Sequence, residues 1–195
     1  MSTHLLHMAG GARRARRRSG QQGQALLEFA MIFTFIMLLL AGVTDVGGLL
    51  DVHVAGIYAA RQGARTGAVI GPVTAADCAI VGAVHSVLAN QPNLTVTQIT
   101  IYQAGPNGLS DGTASYYVGT ADCQNGTIID DSTGSPTSPL PGSTPWDPTT
   151  RNVTAYTEDS LGVKIDYTYQ FQFNLLGAGA FPTSDYAVYP MNPGG

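Results

Sequence analysis

The chain has 195 residues, of which 11% are charged and 24 are glycine, and this length suffices for one modest domain beside a membrane anchor. The formal net charge of −4 is unevenly distributed, since five of the nine basic residues lie among the first 18 and all 13 acidic residues follow Gly23. The basic N-terminus is therefore typical of a cytoplasmic anchor that obeys the positive-inside rule, and it does not predict nucleic-acid binding.

The N-terminal part of the chain divides into two segments. Residues 1–23 are rich in arginine, glycine, serine and glutamine and show no periodicity, so we interpret them as a disordered basic leader. Residues 24–43 are almost entirely apolar and long enough to cross the roughly 30 Å hydrocarbon core of a bilayer. The order of the two segments predicts a single-pass protein with its N-terminus inside and its C-terminal part outside.

One carboxylate, Glu28, lies near the start of this apolar run. A charged side chain inside a membrane-spanning helix costs on the order of 3 kcal/mol or more, so a carboxylate at this position favours a functional role. Gly23, followed after four residues by Glu28 and Phe29, resembles the processing site of type IV pilin-like proteins.

The resemblance can be narrowed to one family. Residues 23–47, GQALLEFAMIFTFIMLLLAGVTDVG, and residues 59–65, AARQGAR, are similar to the N-terminal signature of TadE-like proteins, the minor pseudopilins of the tight-adherence pilus system. The similarity covers about residues 20–70. It departs at Thr34, where many members have proline, and at Val46, where an aromatic residue is usual.

The resemblance implies a function and its partners. A prepilin peptidase would cut between Gly23 and Gln24, and the mature chain would act as a structural subunit in pilus assembly, beside other pilin subunits or copies of itself. It would reside in the inner membrane and, after assembly, in an extracellular pilus. Glu28 and Phe29 would serve assembly, with Glu28 neutralising the new amine of an adjacent subunit or being recognised during assembly. The alternative is that Glu28 is solvated at the headgroup boundary.

The helix is expected to continue beyond the span. Apolar residues recur at helical spacing after residue 43, and no proline occurs before Pro72, so we predict one helix over residues 24–71 that ends at Gly71. Small residues in its C-terminal half permit close packing but lower helix propensity. We therefore expect this half to pack against a domain or other subunits.

Residues 72–195 are predicted to form an external α+β head. Thr74 and Asp77 have the spacing of a shortened capping box for a second helix that ends near Pro92. Residues 163–173 alternate apolar and polar side chains and are the clearest strand, while residues 94–102 alternate with a slip in phase near Gln98. Weaker strands are expected at residues 114–119, 127–129 and 186–189. The predicted fold is thus α+β, with a long helix and a second helix packed on a small antiparallel sheet, and the resemblance implies that this fold is pilin-like.

A proline-rich segment interrupts the head. Residues 130–152 contain five prolines and many small polar residues, a composition typical of a long surface loop. The single tryptophan, Trp146, lies in it. We interpret Trp146 as pinning the loop onto the domain, with a contact to a partner protein as the alternative.

The two cysteines, Cys78 and Cys123, both fall in the predicted external part, where disulfides persist. We favour a bridge between them, which would contribute roughly 4 kcal/mol in the chain-entropy model. Two unpaired buried thiols are the alternative.

No pattern of catalytic residues stands out, so we expect neither enzymatic activity nor a cofactor. His53 and His85 have no partners at metal-ligand spacing, and we expect no metal site. The acidic pairs at residues 130–131 and 158–159 are interpreted as solvated loop carboxylates rather than calcium ligands. The competing function is a membrane-anchored binding or adhesion domain that never enters a filament; an anchored hydrolase is a third, weaker hypothesis.

Overall fold

The computed structural model describes residues 18–118, 121–124, 127–130, 145–173, 177 and 179–192. Residues 1–17 of the predicted leader and residues 131–144 of the proline-rich loop lie outside the described residues. The chain divides into two compact units, the first Met1–Val43 and the second Thr44–Gly195.

The architecture is α+β, as predicted. Two helices are present in the described residues, α1 (Arg18–Ile70) and α2 (Ala76–Leu88). The strands are β1 (Leu94–Ala104), β2 (Ser110–Val118), β3 (Ala121–Gln124), β4 (Thr127–Asp130), β5 (Ser160–Gln170) and β6 (Ala180–Pro190). Four of them form an antiparallel sheet in the order β2-β1-β5-β6, and β3 pairs with β4 in a separate hairpin.

Helix α1 begins at Arg18, six residues before the predicted start. The interpretation of residues 18–23 as disordered is therefore wrong. This stretch contains no proline, and its arginine and glutamines are good helix formers, so nothing interrupts the helical hydrogen bonds there. At the other end, Gly71 has a φ of 78° and donates its N–H to the Gly67 carbonyl at 3.2 Å, which is a typical glycine helix end.

The core of the second unit lies between α1, α2 and the inner face of the sheet. The predicted alternation of β5 is present: Val163, Ile165, Tyr167 and Tyr169 are all buried. Further core side chains come from both helices and from β1: Val52, Ala59, Ala60, Ala64, Ile80, Val81, Val84, Ile99 and Ile101. The C-terminal half of α1 thus packs against its own domain.

Several strand boundaries differ from the prediction. The slip in the alternation of β1 corresponds to an irregular register with β5 between Val96 and Gln98, which is how a bulge shifts the phase of a strand. The β3–β4 hairpin was predicted only in its second strand, and β6 is longer than expected. β5 ends at Gln170 instead of residue 173.

Glycines bring α1 close to the rest of the core. A Cβ built on Gly67 would lie 2.9 Å from Ile80 Cγ1 and 3.0 Å from Leu161 Cδ1, and one on Gly63 would lie 2.8 Å from Val84 Cγ2. These neighbours are fully buried and cannot move aside easily. Gly63 and Gly67 are therefore explained by packing within the second unit.

Gly67→Ala is expected to destabilise the second unit by about 1–3 kcal/mol, because overpacking outweighs the gain in helix propensity. Gly47→Ala is the matched control on the same helix. No atom of the described residues lies within 4 Å of its Cβ position, so the substitution should stabilise the protein by about 0.5–1 kcal/mol. Thermal melting of the full chain in detergent checks both, and equal shifts of the two variants would contradict the packing argument.

A disulfide joins α2 to the β3–β4 hairpin. Cys78 and Cys123 are bonded, with their Cα atoms 5.2 Å apart. The link closes a loop of 45 residues and ties the two-stranded hairpin, which is marginal in isolation, to the buried face of α2.

A buried polar cluster holds the end of the proline-rich loop. The capping role predicted for this region is wrong: α2 has Ala75 at its N-cap without a side-chain bond, and Asp77 is buried instead. Asp77 pairs with Arg151 and accepts a hydrogen bond of 2.8 Å from the Tyr117 hydroxyl. Burial, followed by the nearby Asp77 carboxylate, raises the pKa of Tyr117 well above its usual value.

Trp146 belongs to the same cluster. It is buried, its ring centroid lies 4.4 Å from the Arg151 guanidinium carbon, and its backbone N–H donates to Ser115 Oγ at 3.1 Å. A cation–π contact of this kind adds to the stability of a buried arginine. The structure therefore favours the interpretation of Trp146 as a residue that pins its segment to the domain.

Candidate assembly site

Residues 24–43 of the first unit form a largely exposed apolar part of helix α1. The most apolar 18-residue stretch of α1 has a mean hydropathy of 2.4, and none of it is buried. Among the described residues, α1 is the one helix long and apolar enough to cross a membrane. Large side chains are exposed throughout, including Leu26, Phe29, Ile32, Phe35, Met37, Leu39 and Val43. A continuous apolar surface of this size needs a bilayer or protein neighbours to cover it.

Glu28 is exposed on this helix. Its Oε1 accepts a hydrogen bond of 3.2 Å from Gln24 Nε2, one turn before it. Phe29 stacks on Phe33 with ring centroids 5.8 Å apart. The helix runs without interruption through Thr34, whose hydroxyl donates to the Ala30 carbonyl at 2.8 Å. Gln24 and Glu28 therefore share one face of the helix, and Glu28 has spare acceptor capacity.

The surroundings of Gly23 in the described residues do not require glycine. No described atom lies within 4 Å of the position its Cβ would occupy, and its backbone is helical without a positive φ. Glycine costs a helix about 1 kcal/mol relative to alanine, and the described packing does not offset this cost.

Asp45 has a role that sequence reasoning missed. It is buried, and its Oδ1 accepts the N–H groups of Gln172 at 3.0 Å and Phe173 at 3.1 Å. These bonds draw the chain after Gln170 away from the sheet, which is why β5 ends before the predicted boundary. The signal available in the sequence was an acidic residue just after the apolar run.

His53 contacts a carboxylate on the far edge strand of the sheet. Its Nδ1 lies 3.1 Å from Asp185 Oδ1, and Asp185 Oδ2 accepts a 2.5 Å hydrogen bond from the Tyr167 hydroxyl. Burial, followed by this bond, raises the pKa of Tyr167. A Cβ on Gly56 would lie 2.7 Å from the Tyr167 hydroxyl. The cluster thus fastens α1 to the sheet at a point where only glycine fits.

Asp159, of the acidic pair at residues 158–159, differs from the expectation of a solvated loop carboxylate. Asp159 is partly buried and accepts bonds from Asn152 N at 2.7 Å and Gln103 Nε2 at 2.8 Å, so it organises the chain before β5. The side chains of residues 130 and 131 lie outside the described ones. Among the residues that the structure describes, no three His, Cys, Asp or Glu side chains are grouped to hold a metal ion.

Comparison with known protein families matches residues 23–65 to the family described as TadE-like protein. The resemblance found in the sequence is confirmed over this segment, which is less than a quarter of the chain. No curated protein and no solved structure was found to match the chain. The matched segment contains the exposed span with Gly23 and Glu28. It also contains Asp45, which binds the chain after β5, and His53 and Gly56, which lie against the sheet.

Proposed function

We propose that this chain, whose N-terminal segment is TadE-like, is a structural subunit that acts in the assembly of a tight-adherence type pilus. The observation that carries the proposal is the pairing of Gly23 with Glu28 at the start of an uncovered apolar helix, within the stretch that matches the family. A prepilin peptidase would remove residues 1–23 and leave Gln24 as the first residue. The proposal includes no enzymatic activity.

The hydrogen bond between Gln24 and Glu28 suggests what cleavage would do chemically. Cutting before Gln24 creates a positive amine one helical turn from the carboxylate. A carboxylate buried inside a filament needs a partner, and the amine of an adjacent subunit would supply one. In this proposal the span resides in the inner membrane with the second unit outside, until the subunit enters a pilus.

The competing function is a membrane-anchored adhesion domain that stays in the membrane. It needs the same span and head, but it needs neither cleavage before residue 24 nor a carboxylate at residue 28. The identity of the mature N-terminus therefore separates the two.

The test is the intact mass of the protein purified from its native host. We expect a mature chain that begins at Gln24, and a Gly23→Arg variant that keeps the 23 leader residues, because an arginine side chain blocks the peptidase at this site. Gln22→Arg adds the same charge one residue earlier and should still be processed. Retention of residues 1–23 in the wild-type protein would contradict the proposed function.

A further inference from the structure

The C-terminal half of α1 exposes a second face, opposite the one that packs on the sheet. Its residues are spaced by three or four, so they lie along one side of the helix. We call them the outer stripe: Gly47, Leu50, Asp51, Val54, Tyr58, Arg61 and Arg65, all exposed in the structure. The stripe combines an apolar centre, where Leu50 and Val54 are each 60% and Tyr58 is 66% exposed, with a carboxylate at one end and two guanidinium groups at the other.

The charges of the outer stripe make no ion pair among the residues that the structure describes. After Gly23 the sequence has only 4 basic side chains against 13 acidic ones. Arg151 is paired with Asp77, and Lys164 lies 2.7 Å from Asp166. In the part of the second unit that the structure describes, Arg61 and Arg65 are the cations left without an ion pair, and Asp51 also makes none.

Asp51 borders a concave surface. A groove of about 320 Å³ is lined by Gly47, Asp51, Gln91 and Tyr169, among others. Gln91 Oε1 accepts no hydrogen bond in the described structure. A guanidinium group has five N–H donors in a planar fork and no acceptor. The groove therefore offers the Asp51 carboxylate as an acceptor for a guanidinium group such as that of Arg61 or Arg65. The Gln91 amide oxygen becomes a second acceptor if its side chain rotates toward the groove.

We propose that the outer stripe docks a second copy of this chain, with Asp51 and its groove on one copy receiving Arg61 or Arg65 of the next. This inference rests on the proposed function, which supplies the neighbouring copies. The charges lie 10 and 14 residues apart, so the contact requires parallel helices offset by about 15 or 21 Å at 1.5 Å per residue. An in-register parallel pair would instead oppose like charges, Asp51 to Asp51.

The offset has a structural consequence. An antiparallel pair would also match the charges, but two chains anchored in one membrane enter their helices from the same side and run parallel. A parallel contact between different ends of the same stripe is heterologous, so each copy keeps one free end for the next. Contacts of this type build open filaments rather than closed dimers.

Cysteine cross-linking in the native host tests the contact. Asp51→Cys is co-expressed with Arg61→Cys or with Arg65→Cys, each in the full chain, and membranes and sheared pili are oxidised and analysed separately. We expect severalfold more covalent dimer from one of the mixtures than from either variant alone. Asp51→Cys mixed with Asp111→Cys, an exposed position on β2, is the matched control and should remain at background.

The outcomes separate this contact from the proposed function. Dimers from Asp51→Cys alone, at the level of the mixtures, would overturn the staggered contact in favour of an in-register pair. Pili that contain the chain but yield no cross-link in either mixture would also overturn it. A cross-link that forms in membranes while no pilus contains the chain would support the contact and contradict the proposed function.

Discussion

Arg151→Met is expected to destabilise the second unit by about 3–5 kcal/mol, because it leaves the buried carboxylate of Asp77 without its cation. Both side chains are almost fully buried, with exposed fractions of 3% for Arg151 and 4% for Asp77. The Tyr117 hydroxyl would be the remaining hydrogen-bond donor to Asp77 in the described structure, and a neutral donor does not replace a guanidinium. Methionine keeps most of the side-chain volume, so the loss of charge and not a cavity should dominate.

Two control variants make this prediction specific. Asp77→Leu combined with Arg151→Met removes both charges and should recover most of the stability, as apolar replacements of buried ion pairs often do. Lys164→Met breaks the half-exposed pair with Asp166 and should cost about 0–1 kcal/mol. Denaturant unfolding of the full chain in detergent, followed by the fluorescence of the single Trp146 that stacks on Arg151, measures all three. A double variant less stable than Arg151→Met would contradict the interpretation.

The elements that periodicity specifies were predictable from the sequence. The side chains of β5 alternate because one face of this strand packs on the core, and the apolar spacing of α1 up to Gly71 reflects its burial from Val52 onward. Both patterns are local. The β3–β4 hairpin is too short to show a period, which is why β3 was missed.

The polar contacts of the head could not be predicted in this way. Asp77 has the spacing of a helix cap, but its partner Arg151 lies 74 residues further along the chain. Asp45 similarly bonds backbone groups 127 and 128 residues away. The Asp77 carboxylate could either cap the start of α2 or pair with Arg151. The ion pair forms because pairing a buried charge with a cation stabilises the fold by more free energy than a helix cap does.

The residues of the candidate assembly site, unlike the polar contacts of the head, lie close together in the sequence. Gly23 and Glu28 were selected from the sequence by their resemblance to a pilin-like processing site, and their role stays a prediction. In the described structure, no atom lies within 4 Å of a Cβ at Gly23, and Glu28 is exposed. The outer stripe was not identified from the sequence, since its exposure becomes apparent only when the opposite face of α1 is known to be buried.

Glu28→Gln is expected to abolish most incorporation into pili while leaving membrane insertion and the melting of the second unit unchanged. The substitution preserves the shape of the side chain and removes the charge. In the described structure the bond to Glu28 comes from Gln24 in the first unit, whereas the core of the second unit is built from residues 52 onward. Thr34→Val, which also removes a polar group from the span and breaks only a bond to the local backbone, is the matched control and should assemble normally.

The result distinguishes the two explanations of Glu28. A carboxylate that pairs with the amine of a neighbouring subunit is needed only when that neighbour is present, so its loss should appear in the sheared pilus fraction and not in the membrane fraction. A carboxylate that is merely solvated at the headgroup boundary loses nothing when it becomes an amide. Assembly of Glu28→Gln at the level of wild type and Thr34→Val would therefore remove the ion-pair role. Unfolding of the second unit in Glu28→Gln would instead show that the anchor and the head are not independent.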